Sequence, residues 1–125
     1  MLPFSLTFKS GSPVSEQLLY AVEKAMISGQ LQPGDSFPSV RVLSQELCIN
    51  PNTVHKVTTS LIAQGLLEVR PGIGTIVGKP PRATARQKSE LLGDDLERLV
   101  VEAKKLRLEL HELKKALEEH WKKLT

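Results

Sequence analysis

Between Pro38 and Gly78 the chain reads PSVRVLSQELCINPNTVHKVTTSLIAQGLLEVRPGIGTIVG, an order of signals that few folds accept. Ser39 stands just before Val40, Val42, Leu43 and Leu47, so its hydroxyl can accept an orphan backbone N–H at the start of a helix over 40–47. Cys48-Ile49-Asn50-Pro51 interrupts that helix. The residue before a proline is pushed toward extended backbone, and proline itself suits a first helical turn but not a helix interior. A second helix is expected from Asn52, with Val54, Val57, Leu61 and Ile62 inward and Gly65 ending it. Two helices of this length with a short turn between them form a helix-turn-helix. Leu66, Leu67 and Val69 are β-prone, as are Thr75, Ile76 and Val77, and a Pro- and Gly-rich tip separates the two runs. That is the signature of a hairpin, the wing of a winged helix. The expected fold class is therefore mainly α with a small β-hairpin wing.

The flanks support this centre. Phe4, Leu6 and Phe8 recur with a period of two, which suits a short extended segment before a turn. Ser12-Pro13 is a candidate N-cap with proline at the first helical position, and Val14, Leu18, Ala21, Val22, Ala25 and Met26 follow at helical spacing until Gly29. Pro33-Gly34-Asp35 has turn chemistry. Lys79-Pro80-Pro81-Arg82 extends neither a strand nor a helix, so a linker is expected over 79–84, after a winged helix-turn-helix domain over 1–78. From Ala85 the pattern changes to a stripe of Leu92, Leu96, Leu99, Ala103, Leu106, Leu110, Leu113 and Leu117, spaced four and three apart among charged residues. The spacing alone leaves open one long helix or two helices with a break at 107–109.

Charge decides little. Residues 1–82 hold seven Lys or Arg against five acids, and residues 83–125 hold ten against nine. A nucleic-acid partner is permitted by this balance but must be argued from motif and geometry. No apolar run approaches the length of about 20 residues that spans a bilayer, and the N-terminus lacks the basic and apolar regions of a secretory signal. One cysteine, Cys48, forms no intrachain disulfide, which fits a reducing cytoplasm.

The central stretch resembles the N-terminal domain of GntR-type bacterial transcription regulators. The resemblance is carried by the ordered set Gln30-Leu31-Gln32-Pro33-Gly34, Pro38-Ser39-Val40-Arg41-Val42-Leu43, Glu46-Leu47, Asn50-Pro51-Asn52-Thr53-Val54, Gly65-Leu66-Leu67 and Gly72-Ile73-Gly74-Thr75-Ile76-Val77. Members usually carry a large effector-binding C-terminal domain, whereas this chain has only a helical segment there. It is therefore similar to the YtrA-like subgroup, whose short pair of C-terminal helices implies dimerisation and whose members often control transporter operons. By that resemblance the break at 107–109 is a real one, residues 85–125 form a helical dimerisation region, and the chain is a homodimeric repressor on an inverted-repeat operator.

Helix-turn-helix proteins place the second helix in the major groove with its first turn against base edges. Asn52, Thr53, His55 and Lys56 are expected there, with Asn50 at the turn. Asn pairs with adenine, Thr meets a thymine methyl or a phosphate, and Lys reaches guanine or phosphate. His55 stands where family members often have Arg. Arg41 matches the family's recurrent DNA-contacting Arg, and Ser39 with the helix start behind it offers donors to a phosphate. In the wing, Gly72 and Gly74 permit close approach to a groove and Arg70 adds charge. Each residue also has a plain structural reading: exposed cations are often only solvated, Ser39 caps its helix regardless of DNA, and the wing glycines serve the turn.

Other chemistry is not indicated. No nucleophile and base set, paired carboxylates or phosphate loop appears, so an enzyme is not expected, nor a cofactor. His111 and His120 lack the i, i+4 spacing of a helical metal site. Cys48, where the family most often has Gly, reads as a small buried residue rather than a redox switch. Trp121 continues the apolar stripe and reads as packing or a dimer contact. The competing function is a winged-helix module that binds another protein through the leucine stripe. An effector is not legible from these residues.

Overall fold

The computed structural model describes residues 2–124 and divides the chain into two compact units between Pro80 and Pro81. The first contains three helices, α1 (Val14–Ile27), α2 (Val40–Leu47) and α3 (Pro51–Ala63), followed by strands β1 (Leu67–Arg70) and β2 (Gly74–Val77). Its core gathers Leu18, Val22 and Ala25 of α1, Leu43 of α2, and Val54, Val57 and Leu61 of α3 with Leu31, Phe37, Leu67 and Val77. The fold is a winged helix-turn-helix.

Burial in the N-terminal segment alternates as the period of two requires, with Phe4 buried and Leu6 and Phe8 half-buried, but no strand forms there. Phe4 instead stacks on Phe37 with ring centroids 6.2 Å apart. Ser12 does not cap α1, since the N-cap position belongs to Pro13, which has no side chain to accept a bond. Gln17 ties the segment down, accepting from the Lys9 N–H at 2.8 Å and donating to the Lys9 and Ser12 carbonyls.

Strands β1 and β2 pair antiparallel, with Leu67 opposite Val77 and Arg70 opposite Gly74. At the tip the Ile73 N–H donates to the Arg70 carbonyl at 3.1 Å, and Pro71 followed by Gly72 at φ 77° gives the type II turn its composition. The segment before α2 lies along the other edge of β2. Phe37 N–H donates to the Thr75 carbonyl at 2.9 Å, Val77 N–H to Asp35 at 2.8 Å and Gly34 N–H to Val77 at 2.8 Å. The Pro33-Gly34-Asp35 turn thus anchors the wing to the body of the domain. On the opposite side Gly78 N–H donates to the Leu66 carbonyl at 2.9 Å. Gly78 is buried, and a Cβ there would lie 2.6 Å from the Gly65 carbonyl oxygen, so only glycine fits without a shift.

The second unit begins with α4 (Ala85–Glu90), capped by a reciprocal pair of bonds between Thr84 and Gln87. A π-helical segment, Leu91–Asp95, carries it into α5 (Leu96–Lys105). A π turn holds one more residue than an α turn, which advances the side-chain phase relative to an unbroken heptad count. At the end of α5 the Arg107 N–H donates to Lys104 at 3.1 Å and the Leu108 N–H to Ala103 at 3.0 Å, with Arg107 at φ 58°. This is a Schellman stop built without glycine. Glu109 then opens α6 (Leu110–Lys123), its N–H donating to the Glu112 carboxylate at 3.0 Å while the Glu112 N–H donates to the Glu109 main-chain carbonyl at 3.1 Å.

Candidate nucleic-acid interface

The two helices of the motif are placed by their caps. Ser39 Oγ accepts from the Val42 N–H at 3.2 Å, which fixes the start of α2. That bond uses one lone pair of the hydroxyl, leaving its O–H to donate to an anion beside the unsatisfied N–H groups and partial positive charge of the first turn. Asn50 Oδ1 accepts from the Asn52 N–H at 2.8 Å and Pro51 takes the first position of α3. The oxygen of Asn50 is therefore engaged as a cap, and its side-chain NH2 is left to donate to DNA.

Between them Cys48 takes a left-handed conformation at φ 54°, and the Ile49 N–H reaches back to the Ser44 carbonyl at 3.2 Å. Cys48 is exposed, which corrects the expectation of a buried residue. Its thiol lies 3.7 Å from the Gln45 carbonyl. The family's usual glycine is explained by this backbone, because an L residue pays a steric penalty in the left-handed region.

On α3, Val54, Val57 and Leu61 are buried while Asn52, His55, Lys56 and Thr59 are exposed. Positions 52, 55, 56 and 59 follow the i, i+3, i+4, i+7 pattern of one helix face. Thr53 is half-buried, less open than the sequence suggested. Ile62, expected inward, is 36% exposed, and Val42 on α2 is also exposed. Thr59 escaped the sequence reading, although the spacing from Asn52 and His55 points to it.

Arg41 is exposed on the first turn of α2, and no acid engages it among the described residues. Arg70 is different: its guanidinium bonds Glu68 Oε1 through Nε at 3.0 Å and a terminal nitrogen at 2.9 Å. The wing cation expected from sequence is thus locally neutralised. Residues two apart on a strand share a face, so the pairing was present in the sequence. Gly72 and Gly74 have φ of 77° and 107°, so the turn itself requires them. Their hypothetical Cβ atoms meet nothing within 4 Å, leaving the tip open as well.

Among the described residues no group of three or more His, Cys, Asp or Glu side chains could hold a metal ion, and no helix is long and apolar enough to cross a membrane. An exposed helix face beside an unpaired arginine, backed by a rigidly anchored hairpin, defines a DNA-binding domain of the winged helix-turn-helix class. The family described as bacterial regulatory proteins, gntR family, matches residues 14–77, and the chain belongs to it. The HTH-type transcriptional repressor YtrA of Bacillus subtilis is 30% identical over 112 residues, spanning 89% of this chain and 86% of that protein. Among solved structures, a transcriptional antiterminator from Listeria monocytogenes superposes with a TM-score of 0.82 at 24% identity, covering 97% of this chain and 91% of that one. YtrA from Sulfolobus acidocaldarius, a GntR-family transcription factor, gives 0.59 at 24% identity over 78% of this chain and 96% of its own. The two structural likenesses concern the fold. The family and the curated relative make this chain a DNA-binding transcriptional regulator and not an enzyme.

Proposed function

We propose that the chain is a cytoplasmic, homodimeric repressor that reads an inverted-repeat operator, with residues 1–78 as the reader, 79–84 as the linker and 85–125 as the dimerisation region. The observation that carries DNA reading is the exposed face of α3, with Asn52, His55, Lys56 and Thr59 on it and Val54 and Val57 turned into the core. Thr53, Asn50, Ser39 and Arg41 add contacts at the two helix starts, and Arg70, Gly72 and Gly74 bring the wing tip to the backbone or an adjacent groove. A single such domain reads only a few base pairs, so specificity requires two half-sites about one helical turn apart.

Pairing is supported by the second unit. Helix α6 buries none of its residues, and Leu92, Leu96, Leu99, Leu106, Leu110, Leu117 and Trp121 are all exposed in the single chain. So long an apolar stripe calls for a partner, and a second copy satisfies it symmetrically. Leu113 is half-buried, and Ala103 is 7% exposed, so Ala103 offers a partner almost no surface. The name of the Bacillus subtilis relative, a repressor, supports the direction of control. A transporter operon, implied by the subgroup resemblance, is the first target to try.

The test is nuclease footprinting upstream of the chain's own operon, with binding measured for variants. Arg41→Ala and Thr53→Ala are expected to weaken operator binding by about 1 to 3 kcal/mol each while leaving the dimer intact. Leu99→Lys with Leu117→Lys should lower affinity through monomerisation, read by light scattering. A wild-type monomer at micromolar concentration with no protected inverted repeat would favour the protein-interaction module instead.

A further inference from the structure

A groove of about 290 Å³ opens in the first unit where the end of α1, the segment before α2 and the exit of β2 meet. Met26, Ile27, Leu31, Leu66 and Val77 supply its apolar walls, and Glu23 is the charged residue that lines it. Glu23 is half-buried, and no hydrogen bond or ion pair holds its carboxylate among the described residues. We propose that this groove binds a small hydrophobic amine, with the ammonium at Glu23 and the hydrocarbon body against the aliphatic walls.

Size, polarity and charge select that class. An apolar cavity of about 150 Å³ accepts benzene, so this groove suits a molecule of roughly ten to twelve non-hydrogen atoms. A bare hydrocarbon would supply no counter-charge to Glu23 at the groove's edge, and an anion would be repelled by it. An amine with an apolar tail meets both demands, as small-molecule sites commonly combine an apolar lining with one placed charge. The groove also borders the joint between the DNA-reading parts. Leu66 follows α3, Val77 ends β2, and the Gly78 N–H to Leu66 bond of 2.9 Å fastens the two together. The link to DNA reading rests on the function proposed above; binding itself does not, and it is measured without DNA.

The experiment titrates the full chain with phenylpropylamine, phenylpropanol and phenylpropanoate, followed by calorimetry and by backbone NMR shifts. The amine should bind about fivefold more tightly than the alcohol, the ratio of a partly exposed ion pair, with the propanoate weakest. Shifts should centre on Met26, Leu31 and Val77. Glu23→Gln should erase the difference between amine and alcohol while preserving the alcohol's affinity. Ile27→Lys, at a position 72% exposed and one helical turn from Glu23, should supply an internal ammonium and cut amine binding by at least the same factor. Equal binding of amine and alcohol to the wild type, a preference that survives Glu23→Gln, or shifts centred elsewhere would each overturn the assignment.

Discussion

Gly78→Ala tests how the wing is fastened to the DNA-reading helix. The new Cβ would stand 2.6 Å from the Gly65 carbonyl oxygen, against 3.4 Å for an ordinary contact, so the two backbones must separate by about 0.8 Å. Both neighbours are main chain, which leaves no flexible side chain to move aside. Overpacking a buried site costs about 1 to 3 kcal/mol. Loss of the Gly78 N–H bond to Leu66 adds about 1 kcal/mol, while the lower entropy of an unfolded alanine returns about 0.4 to 1. The net destabilisation is about 2 kcal/mol. With a urea slope of about 1 kcal/mol/M for so small a domain, the unfolding midpoint should fall by about 2 M. Gly93→Ala is the control. It lies in the π-helical segment with nothing within 4 Å of a Cβ, so it should leave the midpoint of the first unit unchanged. A Gly78→Ala midpoint equal to or above the wild type would refute the close-approach reasoning.

Three further outcomes follow from the same geometry. Cys48→Gly should raise stability by about 0.5 to 1 kcal/mol in thermal unfolding, because it relieves a left-handed residue, and Arg107→Gly should do the same for the second unit. A loss of stability in both would contradict the backbone assignment. Asn50→Ala should cost about 1 kcal/mol in urea through the lost cap on α3, whereas Asn50→Asp, which keeps the acceptor, should cost less. Glu68→Gln should release Arg70 and tighten DNA binding by roughly two- to fivefold at low salt, with a steeper salt dependence. Unchanged affinity and salt slope would mean that Arg70 does not approach the phosphates.

The helix-turn-helix was legible because its signals are local. Ser39 and Asn50-Pro51 announce helix starts within a few residues, and the Arg70-Pro71-Gly72 tip carries its own turn chemistry. Burial was less legible in the short helices. Val42 and Ile62 fit either face by spacing alone, and both are exposed because the core beside them is filled by Leu43 and Leu61. The Arg70 pairing with Glu68 was readable in principle from strand periodicity. The break at Arg107 was not written in residue type, since neither glycine nor a hydroxyl cap stands there.

By itself the sequence determined the winged helix-turn-helix, the residues of the second helix and the family, because helix caps, apolar spacing and turn residues act over a few positions. Tertiary structure decided what depends on backbone groups meeting across distance. It set the third backbone segment along β2, the demand for glycine at Gly78, the groove beside Glu23 and the half-burial of Thr53. The Pro38 to Gly78 stretch named the parts of the reader; hydrogen bonds and packing from outside that stretch fixed how those parts are held.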